Sequence, residues 1–374
     1  MGSLKTTRDL YPLRCREILR DYGFGERWIV SEFDKEGLPD DHRVAETWEV
    51  CDRPGESSLI LNGDLAGRTL RDAIDTWRED LLGTDVVTRF GTTFPLLIKL
   101  LDASNVLGEH LHPGDDLVRQ RGLDDFSGKT EAWYMLRARP DATIHCGHRP
   151  GVTVDALRQA MLEDRPRDCM EERPATVGDA FLLYPGTIHY SSGGLLFYEI
   201  MQNSDINIGL RPARGGEPSL EARTRADEIL EGVHFEDGFD PRTRPVAMPL
   251  GANCRTFLIA CQHFAVERLD LAEPHRLDMR GDRFRVATIV EGAATVAWDG
   301  GAETLKCGQS CLLPAALGAV SLEPDRDAAA LLAFVPDLVA DVVAPLRAAG
   351  ITDEAIRGLG GHSELNPLNA LATL

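Results

Sequence analysis

Gly178-Asp179-Ala180-Phe181-Leu182-Leu183-Tyr184-Pro185-Gly186-Thr187-Ile188-His189 decides the fold. An apolar run of strand length stops at Pro185-Gly186, a tight-turn signal, and a histidine follows at once. A strand, a turn and a histidine in this order is how a β-barrel presents a ligand at its mouth. Working outward, residues 94–101, 130–136 and 194–200 also read as short strands. Pro113-Gly114-Asp115-Asp116 and Ser192-Gly193-Gly194 supply the turns between them. Many short strands so punctuated predict a mainly β chain of the jelly-roll type.

Helices interrupt the strands. Leu70, Ala73, Ile74 and Trp77 recur at helical spacing over residues 69–82. Val154, Leu157, Ala160 and Met161 share a face over residues 152–162, with Thr153 as the cap. Residues 220–230 form a third, charge-rich helix. Residues 236–255 hold several Asp, Pro and Gly residues and read as a connector. Strands return over 256–335 as a second, smaller β-unit, and residues 336–374 read as a helical tail. The expected division is therefore 1–235, 236–255, 256–335 and 336–374.

The chain of 374 residues carries 40 basic and 60 acidic residues, a formal charge of −20. Such a surface repels phosphate backbones, so a general nucleic-acid binder is excluded, while one small basic pocket for an anionic metabolite is not. Residues 1–30 lack an apolar stretch. The most apolar window, 328–346, is broken by Pro336, Asp337, Asp341 and Pro345, so no membrane association is expected. The 8 cysteines are scattered without a CxxC pair and read as free thiols of a reducing, cytoplasmic compartment.

His110 and His112 lie at i and i+2 in Gly108-Glu109-His110-Leu111-His112-Pro113. On a strand both imidazoles project from one face, roughly 6–7 Å apart, with Leu111 opposite. Lys129, Glu131 and Trp133 share a face in the same way. With His189 they offer three imidazoles and a carboxylate, a set suited to Zn²⁺ or another divalent metal. A lone His-x-His is also an ordinary polar strand face, so spacing alone leaves the metal open.

Three segments together resemble the type I mannose-6-phosphate isomerases, a family of metal-dependent cupins: Gly128-Lys129-Thr130-Glu131-Ala132-Trp133-Tyr134, residues 107–113 and residues 178–189. Glu46-Thr47-Trp48-Glu49-Val50, Leu65-Ala66-Gly67-Arg68-Thr69-Leu70, Pro150-Gly151-Val152-Thr153 and Leu313-Pro314-Ala315-Ala316-Leu317-Gly318 extend the likeness over about residues 10–335. The resemblance implies two cupin-type barrels with helical insertions, the second without metal ligands. It places a divalent metal, usually zinc, on His110, His112, Glu131 and His189, with His110 where the family has glutamine. It makes Lys129 an active-site lysine and Glu199, in Phe197-Tyr198-Glu199-Ile200, an active-site carboxylate. Burial in an apolar strand would raise the Glu199 pKa and suit proton shuttling.

The reaction so implied interconverts mannose 6-phosphate and fructose 6-phosphate through a cis-enediol. One departure stands out. Gly209 occupies the position where the family carries an arginine. Either Arg211 or Arg214 takes over that role or the arginine is lost; Arg211 is the catalytic candidate, and Arg214, with Lys129, the expected substrate-binding charge. The alternatives are isomerisation of another sugar or sugar phosphate, or a non-catalytic metal-holding sugar-binding protein. A small-molecule sugar phosphate is the expected partner, and the chain is expected as a monomer or homodimer.

Overall fold

The computed structural model describes residues 10–33, 35, 43–123, 126–212 and 219–371. Every strand pairing in it is antiparallel, as hairpin-linked short strands dictate. Eight strands build the site: β1 (Glu46–Val50), β2 (Leu96–Ala103), β3 (Leu107–Leu111), β4 (Glu131–Ala138), β5 (Thr143–His148), β6 (Ala180–Leu183), β7 (His189–Ser191) and β8 (Leu195–Gln202). One sheet has the order β6-β4-β8-β2-β1, with Ile18–Arg20 at the β1 edge. A second runs Met170–Pro174, β5, β7, β3 and Ile208–Gly209. β2, β6, β7 and β8 are buried along their whole length, which accounts for the largely apolar runs of β2, β6 and β8.

The outer face of the second sheet is covered by helices α1 (Val154–Leu162) and α2 (Leu220–Leu230). Leu157, Met161, Ala226 and Ile229 pack there against Leu111, Ile188 and Tyr190. Thr153 caps α1 and Ser219 caps α2, each accepting a backbone N–H three residues on. Leu111 therefore points away from the histidines, as expected. The predicted helix over 69–82 is instead broken. Leu70–Trp77 closes at Arg78 (φ +48°), and Glu79–Leu82 and Thr84–Phe90 follow as separate turns. Asp115-Asp116, expected in a turn, begins the helix Asp115–Gln120.

The second unit has a seven-stranded and a four-stranded sheet. Leu269, Ile289, Val296, Leu305, Leu322 and Leu332 form an apolar cluster between them. Two boundaries differ from the expected division. Val246–Leu250, placed in the connector by its prolines, pairs with Asn253–Ala260 as an edge strand. Leu13–Arg14, from the start of the chain, pairs with Ser310–Leu313 in the second unit's sheet. The tail contributes Leu338, Val342, Leu346, Ile356 and Leu359 to a cluster with Phe257 and Phe334. Among the described residues no helix is long and apolar enough to cross a membrane.

Candidate metal centre

His110 on β3, His112 just beyond it, Glu131 at the start of β4 and His189 at the start of β7 bring one donor atom each within 4.8 Å of one another. Registry accounts for the convergence, because His189 pairs directly with His110 across β7 and β3. The imidazole centroids are 4.2 to 4.9 Å apart.

Each ring is oriented from behind. Nδ1 of His110 bonds Gly108 O at 2.7 Å, Nδ1 of His112 bonds Ile206 O at 3.0 Å, and Nδ1 of His189 bonds Thr187 O at 2.8 Å. A carbonyl can only accept, so Nδ1 carries the proton in all three rings and Nε2 keeps its lone pair. Nε2 of His112 and of His189 each lie 3.1 Å from a Glu131 oxygen. None of these four buried atoms makes a hydrogen bond of acceptable geometry. Buried polar atoms left so are costly unless something sits among them. The donor set, three imidazole nitrogens and a carboxylate, fits a tetrahedral divalent cation such as zinc.

The electrostatics agree. Burial, then the neighbouring histidines, push His110 well below the usual imidazole range, and burial with the Lys129 charge brings His112 down to about 4. Burial alone would raise the Glu131 pKa, but Lys129 and His112 outweigh it and hold the carboxyl well below its ordinary range. Lys129 Nζ lies 3.0 Å from Glu131 Oε2.

Glu199, on β8, stands one residue-layer away. Its Oε1 accepts from Trp133 Nε1 at 2.8 Å, and Trp133 meets the His189 ring at 5.6 Å, so the indole joins Glu199 to the cluster. Burial first, then the Glu131 charge, push the Glu199 carboxyl up to about 7. Lys99, on β2, is the residue that sequence reasoning missed. Its buried ammonium lies 3.2 Å from Glu46, 3.5 Å from Glu199 and 3.6 Å from Asp205. The available signal was a single charge inside the apolar run of 94–101. Four carboxylates (Glu46, Glu131, Glu199 and Asp205) thus face two ammoniums.

Arg211 is not brought to this cluster. Its guanidinium is held by Glu109, at 2.9 and 3.1 Å, and by Asp164. Glu109 alternates with His110 and so projects from the opposite face, where Arg167 also binds it and stacks on Tyr190. The expectation that Arg211 takes a catalytic place is corrected by this geometry: the chain leaves the strand after Gly209 and the side chain turns outward. Arg214 lies outside the described residues. Gly209 pairs with His110, and a Cβ there would meet nothing within 4 Å. His263 and His275 are not part of the cluster.

Comparisons with known proteins point one way. Residues 10–145 match the family model of the phosphomannose isomerase type I catalytic domain, and residues 253–330 that of the mannose-6-phosphate isomerase cupin domain. Mannose-6-phosphate isomerase ManA of Bacillus subtilis is 28% identical over 294 residues, covering 75% of this chain and 87% of that protein. Mannose-6-phosphate isomerase of Streptococcus mutans is 26% identical over 273 residues, covering 72% and 83%. In fold, the crystal structure of the Bacillus subtilis mannose 6-phosphate isomerase superposes with a TM-score of 0.73 at 19% identity, covering 87% of this chain and 99% of that one. A phosphomannose isomerase variant from Salmonella typhimurium superposes at 0.71, also with 19% identity, covering 87% and 100%. With both family models in chain order, the chain belongs to the type I mannose-6-phosphate isomerases.

Proposed function

We propose that this chain interconverts mannose 6-phosphate and fructose 6-phosphate on a divalent metal centre built from His110, His112, Glu131 and His189. The observation that carries the reading is the convergence of one donor atom each from His110, His112, Glu131 and His189, of which those of His112, Glu131 and His189 are buried and make no hydrogen bond of acceptable geometry. Zinc bound there would supply positive charge that polarises the sugar oxygens and stabilises negative charge as it develops. Glu199 is the group that moves the proton. As base it takes the proton from C2 of the open-chain aldose while the C1 carbonyl oxygen gains one, leaving a cis-enediol. Return of a proton to C1, with loss of the O2 proton as the C2 carbonyl forms, gives the ketose. A carboxyl held near 7 is matched to both directions at neutral pH. Trp133 fixes one Glu199 oxygen and Lys99 lies beside the other. Lys129 holds the Glu131 carboxylate and places an ammonium beside the centre for substrate oxygens or phosphate. Arg214 is its expected companion on the phosphate.

The two pairs of sheets are read as two jelly-roll units, 1–235 carrying the site and 256–335 packing structurally. Eight cysteines, none of them in a disulfide, favour a reducing compartment such as the cytoplasm. A second reading, isomerisation of a different sugar phosphate, is favoured by Gly209, which leaves open space where the family has an arginine. Zinc-loaded protein assayed against a panel of aldose and ketose phosphates separates the two. Turnover fastest on mannose 6-phosphate supports the first, preference for another sugar the second. No turnover on any member discards both.

A further inference from the structure

We propose that Tyr184 is a positioning residue for the metal-bearing turn, and that the C-terminal tail is the anchor it uses. The inference rests on the reading of His112 and His189 as metal ligands.

The turn between β6 and β7 carries His189 and touches His112. Within it, Thr187 O fixes the His189 ring, and Gly186 N–H donates to His112 O at 2.8 Å. A shift of this turn therefore moves two donors at once. Gly186 (φ +82°) is pressed so closely on the following chain that a Cβ would lie 2.7 Å from His234 N. Tyr184 opens the turn, is 3% exposed, and donates its hydroxyl to Gly360 O at 3.0 Å.

The acceptor is itself fixed. A Cβ at Gly360 would fall 2.1 Å from Asn366 Oδ1, and Asn366 Nδ2 donates to Arg357 O at 2.8 Å and Gly361 O at 3.0 Å. The tail is also tied to the connector, with His362 N to Asp240 O at 2.8 Å and Arg244 N to Gly358 O at 2.8 Å. The connector in turn lines β6, with Leu182 N to Pro241 O at 2.8 Å and Thr243 N to Ala180 O at 2.9 Å. Tail and turn are thus joined twice, through the connector and directly through one phenol. Packing alone needs only the ring, which phenylalanine would supply; the hydroxyl adds direction. The tail lies beyond the segments that match the two family models, which end at residues 145 and 330.

The test is Tyr184→Phe in the full chain, read by chelator competition for zinc and by the visible spectrum of the cobalt(II)-substituted protein. Retention about tenfold weaker is expected, the lower end for groups that orient metal ligands. A shifted cobalt spectrum, and a lower kcat for mannose 6-phosphate with little change in KM, should accompany it. Tyr11→Phe is the control for lost stability. It removes another phenol, which accepts from Leu65 N at 2.8 Å away from the site, and should leave zinc retention and the cobalt spectrum unchanged. Asn366→Ala frees Gly360 from the far side and should act in the same direction as Tyr184→Phe, even where that variant fails to fold. Wild-type zinc retention and an unshifted spectrum in either folded variant overturn the proposal, whatever the melting temperature does. Wild-type protein that binds neither metal overturns the metal reading instead, and this inference with it.

Discussion

Burial keeps His110 and His112 unprotonated far into acid, helped by the neighbouring histidines at His110 and by the Lys129 charge at His112, which is held down to about 4. Protons should therefore compete with the metal only near that value. Zinc content after dialysis is expected to stay constant from pH 8 to about 5 and to fall as pH approaches 4; loss already at pH 6 would contradict the burial account. His112→Ala and His189→Ala each remove one donor of four and should strip the metal, which metal analysis of the purified variants reads directly. Glu199 behaves oppositely. Its carboxyl is raised to about 7, so the base form is lost as pH falls through neutrality. The expected kcat/KM profile therefore drops tenfold per unit below about 7. Glu199→Gln should cost about 10² to 10⁴ in kcat with metal content intact, and a variant retaining full activity would move the proton transfer elsewhere.

Between residues, the strand is the element that makes the site, and it divides what could be read beforehand. His110 with His112, and Glu131 with Lys129, were legible as pairs because alternation along a strand sets a shared face, while the meeting of the two strands was carried by the family resemblance alone. His189 was legible because a turn signal precedes it. Lys99 was not, because its partners come from β1, β8 and the loop after β8, and pairing between strands has no trace in local spacing. The edge strand at Val246–Leu250 was hidden by its own proline, which an edge position tolerates. Arg211 misled for a related reason: strand alternation stops at Gly209, so spacing beyond it no longer gives a face. Its salt bridges suit an outer brace. Burial alone would raise the Glu109 pKa, but Arg211 and Arg167 bring it down to about 2. A carboxylate so depressed contributes stability fully above the ordinary carboxylate value, and loses it as pH falls toward 2. Arg211 is 37% exposed, so Arg211→Ala should cost under about 1 kcal/mol and change kcat/KM by less than about twofold. A loss of 10²-fold would return Arg211 to the reaction. A Cβ at Gly209 meets nothing within 4 Å, and its pairing with His110 directs a side chain there to the His110 side of the strand, so Gly209→Arg is the variant that tests the missing cation. It should raise kcat/KM for mannose 6-phosphate, and an unchanged value would show that the missing cation limits nothing.

Across the whole molecule the two β-units are not independent bodies. One apolar cluster runs through both, with Phe94 and Phe284 at 4.9 Å between ring centroids. Leu13–Arg14 completes the far unit's sheet. Lys35, fully buried, reaches Glu17 at 2.7 Å and Glu49 at 2.8 Å, and Ser310 of the second unit donates to the same Glu49 oxygen at 3.1 Å. Arg283 reaches back to Asp85 at 2.8 Å. Separating the units would strand these charges and expose shared apolar surface, so neither has a stable state without the other. A ligand that binds only the folded state raises the stability of whatever unfolds with its site, by about 4 kcal/mol when present at a thousand times its dissociation constant. Because both units unfold together, zinc held by the first should stabilise the second as much. Calorimetry of the zinc-loaded protein should give one endotherm, with calorimetric and van't Hoff enthalpies equal, and chelation should move all of it to lower temperature. Two endotherms, of which chelation moves only one, would show that the interface couples the units too weakly for the metal to be felt beyond its own sheets.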